Sequence, residues 1–541
     1  MRTVESKRVV RELQLIKTKS TKDGNMFKAF VARKVYISFK PLKVAEGFVT
    51  SNGKILAAGT RKSVEALSRE FRAGLRAFDG IVMPGFVDSH MHLDSLGLSL
   101  NTLDLRGVRS IEMMKDMVRD YAEARPGLIF GRGWDQDNFS EGRWPNRWDV
   151  DEAVADRPVI LVRICGHVAL LNTRALELLE PRGSEDLWRD EKGEVSGLIA
   201  ENLVEETLAN FWGKLGDDAV RKCLLDGMEH CAANGVTSVG TCTAHHRDLC
   251  VLSSLREDGK LKVRIRAYVA PELTSENKCL TIEDEEGYLR VVGVKAFSDG
   301  SLGARTAYLR EPYRDEPSRR GNPLISESGL LKIGTDAERM NLQLATHAIG
   351  DAALDIVLGV YSKLNEVHRI IHASVTRPEQ IEKMAAVKAV AIVQPRFVIS
   401  DWWVLRRVGR EMAGSVYAFK SLCDAGVPVA FSTDAPVEPL NPWETVYAAV
   451  TRGENEGVEL AILSEKEKIT VQEALHLYTY GSAVAIGEEK RLGTLEPGKY
   501  ADFIVVDEDP MTIPPEEVRR IKVLGTYVGG NCVFADEELV S

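Results

Sequence analysis

Through most of this chain, apolar strand-like runs alternate with amphipathic helical stretches, and that alternation constrains the fold more than any other feature. The runs include "VTSVGTC", "VRIRAYVA", "LRVVGVKAFSDG", "LQLATHA", "RIIHAS", "AVAIVQPRF" and "VPVAFSTDAP". Strands buried on both faces read as continuous apolar segments, and parallel neighbours need crossover helices between them. The pattern therefore predicts parallel βα units. Several of the runs end in a side chain that can bind a metal or move a proton: Lys295, His347, His372 and Asp434. The stretch "VMPGFVDSHMHLDSLG" adds His90 and His92, two residues apart, which an extended strand projects to the same side.

In a (β/α)8 barrel, catalytic groups gather at the C-terminal ends of the strands, where all six of these residues fall. The spacing agrees. His347 and His372 are 25 residues apart, about one βα unit, and His372 and Asp434 are 62 apart, about two, with "AVAIVQPRF" as the strand between. These assign strands 5 to 8. From His90 to Lys295 is 205 residues, whereas three βα units take on the order of 110. The surplus predicts an insertion within about residues 100–235.

Short β-type runs precede the barrel, with Asn52-Gly53 as a hairpin signal, and "ADFIVVD" and "VLGTYVGGNCVFA" come after it. The expected organisation is an N-terminal extension over residues 1–25, a composite β-sandwich of 26–83 with 489–541, and a barrel of 84–488. A chain of 541 residues with 44% hydrophobic and 28% charged residues is long enough for that arrangement. A net charge of −10 argues against a nucleic-acid partner. No apolar run approaches the ~20 residues of a membrane span. Eight scattered cysteines without a Cys-x-x-Cys pair argue against a disulfide framework. The expectation is a cytoplasmic protein with a small-molecule partner, and a homo-oligomer is compatible with the sequence.

The motifs "PGFVDSHMHL", "GRWPNRWDVDEAVADRPVILVRICGHVALLNTRAL", "GVKAFSDGSLGARTAYL", "ATHAIGDAALD", "FSTDAPVEPLNPWETVYAAVTR" and "GTLEPGKYADFIVVDEDP" together resemble the amidohydrolase superfamily, in the branch that contains N-substituted formamide deformylases. The resemblance covers most of the chain beyond the first ~25 residues. It implies a metal-containing barrel with a small β-sandwich built from both chain ends. It also implies hydrolysis of a carbon–nitrogen bond in an amide, an N-formyl group or a cyclic amide, by a metal-activated hydroxide.

On that resemblance His90, His92 and Asp434 would hold one divalent ion, most simply zinc, and His347 and His372 a second. Lys295 would bridge the two as a carbamate formed with carbon dioxide. Asp434 would also serve as general base and then general acid. Taken singly, each residue has a plainer reading: Lys295 as a solvated strand end, His347 and His372 as satisfied core histidines, Asp434 as a helix N-cap. A deaminase, a phosphotriester or ester hydrolase, and an inactive scaffold are the alternatives on the same barrel.

For substrate contacts the sequence offers Trp134, His167 and Arg305. Trp134, with Phe139, Trp144 and Trp148, forms either a cover over the barrel mouth or the insertion's own small core. His167 could donate to a substrate oxygen or make a structural hydrogen bond. Asp299 and Arg305 read as loop-shaping residues, and Arg305 could meet an anionic substrate.

Overall fold

The computed structural model describes residues 27–540 apart from 125–126, 164–167, 183–185, 244, 275–283 and 285, so the expected N-terminal extension and His167 lie outside the described residues. The chain divides into two compact units, residues 1–93 with 228–541, and residues 94–227. Four strands come first: β1 (Phe27–Phe39), β2 (Leu42–Ser51), β3 (Lys54–Gly59) and β4 (Gly74–Pro84). The turn joining β2 to β3 places Asn52 at φ 51° and Gly53 at φ 73°. Both central residues are left-handed, as a two-residue hairpin whose twist matches its strands requires.

After β5 (Phe86–Met91) the chain enters the second unit, with strands β6 (Leu103–Asp104), β7 (Ile129–Trp134), β8 (Val159–Arg163), β9 (Val168–Leu171), β10 (Leu187–Arg189) and β11 (Val195–Ala200). They form one sheet in the order β10-β11-β9-β8-β7-β6. Strand β8 shows why it has two cores. Val159 and Leu161 face a cluster with Met114, Val118 and Trp134, while the alternate residues Ile160 and Val162 face one with Leu203 and Phe211. This unit carries its own apolar interior, and the insertion was expected within about residues 100–235.

The first unit resumes with β12 (Val236–Thr243), β13 (Arg264–Val269), β14 (Leu289–Phe297), β15 (Gln343–Ala348), β16 (Arg369–His372), β17 (Val390–Val393) and β18 (Val429–Phe431). Parallel pairing links β5 to β12 and then each strand to the next, as far as β18. This is the expected eight-stranded barrel, with Lys295 on its fourth strand and His347 and His372 on the fifth and sixth. Its interior is filled by Tyr268, Ala345, Ile371, Val390, Ile392 and Ala430. No described helix is long and apolar enough to cross a membrane.

Strands β19 (Phe503–Val506), β20 (Val523–Val528) and β21 (Asn531–Ala535) return to the beginning of the chain. They join β1–β4 in one seven-stranded sheet, ordered β21-β20-β19-β4-β1-β2-β3. Phe30, Phe48, Phe78, Phe503 and Tyr527 pack as a single aromatic cluster, with Phe503 and Tyr527 stacked at 4.4 Å. The break at Pro84-Gly85 is where this sheet hands the chain to the barrel. A Cβ at Gly85 would stand 2.3 Å from the Thr237 side chain, so only glycine fits the crossing.

Two buried ion pairs tie the N-terminal ends of barrel strands to the C-terminal segment of the chain. Arg264 on β13 pairs with Asp502 at 2.7 Å, and Arg266 pairs with Glu488 at 2.7 Å, with the Arg266 and Glu488 side chains wholly buried. Removing one partner strands the other's charge in a low-dielectric interior, at a cost of about 3–5 kcal/mol. Glu488→Ala is therefore expected to lower the unfolding free energy by that much in a urea titration. The double change Arg266→Met with Glu488→Leu is expected to recover most of it, read by circular dichroism.

Candidate metal centre

Each candidate ligand is delivered by a strand end. His90 is next to last in β5 with His92 just beyond the strand, Lys295 lies near the end of β14, His347 is in β15, His372 closes β16, and Asp434 comes three residues after β18. All six line one cavity of about 370 Å³. The Asp434 Oδ1 atom lies 3.2 Å from His90 Nε2 and 3.3 Å from His92 Nε2. The possible ligand atoms of these three residues are all within 4.8 Å of one another. The His372 ring lies 5.8 Å from that of His90 and 4.5 Å from that of His347, centre to centre.

The backbone is strained to make this possible. Asp434 adopts φ 59° and His372 φ 78°, left-handed conformations that cost non-glycine residues about 1–3 kcal/mol each. Surrounding bonds hold them there. The Asp434 amide donates to His90 O at 3.0 Å, the His92 amide to Ala435 O at 2.8 Å, and the Ala373 amide to Ala348 O at 3.0 Å.

Burial sets the charge states. It pushes the His90 and His347 imidazoles well below the ordinary histidine range and His372 down to about 4, with the Lys295 charge adding to the effect on each. All three imidazoles are neutral at pH 7. Burial also lowers Lys295, whose Nζ makes no hydrogen bond among the described residues and sits 4.7 Å from the centre of the Phe297 ring. Asp434 goes the other way: burial would raise it, but the facing His90 and His92 imidazoles hold it well below the usual carboxylate range.

The Asp434 Oδ1 atom is buried and makes no hydrogen bond among the described residues, although two imidazole nitrogens face it. A buried carboxylate oxygen without a partner is expensive. Two imidazole nitrogens and a carboxylate oxygen converging on one point are the donor set that a divalent ion such as zinc takes, so the residues fit the ion.

Three supporting residues escaped the sequence reading or were undervalued by it. Gln394 Oε1 accepts from His372 Nδ1 at 2.8 Å, which leaves His372 Nε2 as the lone-pair nitrogen, and Gln394 Nε2 is itself anchored to Ser432 Oγ at 2.8 Å. Asp88 is buried, its pKa pushed up to about 7 by that burial, and it accepts from the Thr433 amide and hydroxyl, the His90 amide and the Tyr478 hydroxyl. Asp299 accepts from the amides of Tyr308, Ile349 and Gly350, which ties the loop after β14 to the end of β15 beside His347. The loop-shaping expectation for Asp299 describes these contacts. The only signal for Asp88 and Gln394 was position, one in "FVDSHMH" and one immediately after an apolar run.

Two of the expected substrate residues, Trp134 and Arg305, have other partners. Trp134 is fully buried in the second unit's own core and donates its indole N–H to Leu161 O at 2.8 Å. This is the packing role, and an indole so enclosed has no free face for a ligand. Arg305 is ion-paired with Asp315 at 2.9 Å and does not line the cavity.

A family model described as the amidohydrolase family matches residues 77–534. The Bacillus subtilis protein YtcJ is 31% identical over 485 residues, covering 85% of this chain and 90% of its own. The N-substituted formamide deformylase of Arthrobacter pascens is 27% identical over 523 residues, covering 90% and 94%. Among solved structures, a metal-dependent hydrolase from Pyrococcus horikoshii OT3 superposes with a TM-score of 0.84 at 38% identity, covering 90% of this chain and 99% of that one.

Two measurements test the centre. His92→Ala is expected to abolish stoichiometric zinc binding while leaving the far-ultraviolet circular dichroism of the metal-free protein unchanged, because a strand-end ligand is no part of the barrel core. Gln394→Leu, which frees the His372 ring, is expected to weaken zinc binding by about 10- to 100-fold in a competition titration with a chelator.

Proposed function

The chain belongs to the amidohydrolase family, and from that premise we propose that it is a metal-dependent hydrolase that cleaves the carbon–nitrogen bond of an amide, an N-formyl group or a cyclic amide. The observation that carries this reading is the unpartnered, buried Asp434 Oδ1 between His90 and His92, on a cavity shared with Lys295, His347 and His372. The likeness to a formamide deformylase over 90% of the chain supports the choice of bond.

His90, His92 and Asp434 would hold one divalent ion, and His347 and His372 a second. Such ions supply Lewis-acid polarisation of a carbonyl and bring the pKa of a water down to about 7. Asp434 takes the proton of the attacking water and returns it to the departing nitrogen, which a poor amine leaving group requires. It is anionic at neutral pH, the form in which a carboxylate can take a proton. An ammonium at Lys295 would repel the ions; conversion to a carbamate removes that charge and supplies two oxygens. Burial favours the neutral amine that such a reaction needs.

Asp434→Asn is expected to lower kcat/KM on N-formyl amines by about 10²- to 10⁴-fold with the fold intact. Lys295→Ala is expected to lose most activity and regain part of it in acetate or propionate, where a free carboxylate fills the vacated space. A purified, zinc-loaded enzyme that turns over esters, phosphotriesters or aminopurines but no amide, formamide or lactam would overturn the assignment of the bond.

A further inference from the structure

The cavity holds a second carboxylate that the proposed reaction does not use. Asp401, in the connection between β17 and β18, lines the same space as the six candidate ligands. The Tyr417 hydroxyl donates to its Oδ2, and its Oδ1 makes no hydrogen bond among the described residues. Among the described residues no lysine or arginine forms an ion pair with it, although the Arg407 charge reaches it. Arg407, the basic side chain beside Asp401, donates to Asp315 Oδ2 at 2.7 Å and to Gly303 O at 3.3 Å, and lies over the Trp403 ring at 5.0 Å, so its charge is committed to another acid. Among the described lining residues Lys295 is the sole lysine or arginine, and it belongs to the metal end of the site.

The rest of the wall suits the same kind of guest. Phe297, Phe397 and Tyr417 present aromatic surface to the cavity, and ring faces attract cations. Phe297 is 50% exposed and Val437 64% exposed. An apolar stem would cover both, while its charged end found the free oxygen of Asp401. An anionic substituent would meet a carboxylate and no available guanidinium or ammonium, and like charges at close quarters are selected against.

We infer that the cavity selects amides whose apolar substituent ends in a protonated amine, and that Asp401 is the specificity residue that receives it. This rests on the amide-hydrolase reading of the same cavity and names its substrate class. A charge-assisted hydrogen bond in a partly buried site is worth about 10- to 100-fold in affinity.

The test uses the zinc-loaded, full-length enzyme and three matched compounds: N-pentylformamide, N-(5-aminopentyl)formamide and 6-formamidohexanoate. Wild-type enzyme is expected to show kcat/KM for the cationic compound about 10- to 100-fold above the neutral one, with the anionic compound lowest. Asp401→Asn keeps the size of the side chain and an acceptor for Tyr417, and is expected to bring the cationic-to-neutral ratio near one. Asp401→Glu is expected to retain a ratio well above one. Turnover of the neutral compound with a wild-type ratio near one, or a ratio unchanged in Asp401→Asn, overturns the role of Asp401 and leaves the hydrolase reading standing. Binding of the same compounds is read by calorimetry in parallel. A cationic preference in binding that Asp401→Asn removes, without turnover of any compound, supports Asp401 and overturns the reaction; equal binding, or none, overturns the inference itself.

Discussion

The structure depends on how the barrel closes between its first strand and its last. Among the described residues no ladder pairs β5 with β18. The seam is held by a different set of bonds. Ser89 Oγ donates to Phe431 O at 2.7 Å, Asp88 accepts from both the amide and the hydroxyl of Thr433, and the amides of Asp434 and His92 bond across to His90 O and Ala435 O. Every one of these contacts lies within three residues of a candidate ligand. Closing the barrel and bringing Asp434 to His90 and His92 are therefore one event, and the left-handed backbone of Asp434 is held in place by the bonds that close it.

That geometry sets opposed electrostatic demands within a few ångströms. Burial disfavours charge on any group, so it pushes the His90, His347 and His372 imidazoles and the Lys295 amine toward their neutral forms. Asp434 is the one carboxylate among the six, and its Oδ1 faces the His90 and His92 nitrogens at 3.2 and 3.3 Å. An oxygen left without a hydrogen bond in such a place is the structural cost of readiness for a cation. Gln394 and Asp299 serve the same end from behind: one fixes which nitrogen of His372 faces the cavity, and the other anchors the loop beside His347.

The barrel could be read in the sequence because it rests on local signals. Parallel strands covered on both faces must be continuously apolar, and the apolar runs end at the residues that cap the strands. The two-residue spacing of His90 and His92 fixes a common side, and the surplus between His90 and Lys295 announces an insertion. Trp134 shows the limit of such signals. A tryptophan among glycines and charges reads equally well as a cover or as a core, and only the alternation of β8 across two apolar clusters shows the indole enclosed. Asp88 and Gln394 carried nothing beyond their position, since one polar residue next to an apolar run looks like any strand end until its partner is known.

The sequence by itself determined which candidate groups the chain carries and on which strands, because strand period, side-chain type and spacing are properties of the local chain. The tertiary structure decided what lies next to what. It placed residue 434 against residue 90, gave Asp434 Oδ1 no partner among the described residues, set Asp401 with a free oxygen on the same cavity, and joined both ends of the chain in one sheet. Those facts come from closure of the barrel, which makes neighbours of residues hundreds of positions apart and removes the water that would otherwise hide their charges from one another. No local pattern encodes them.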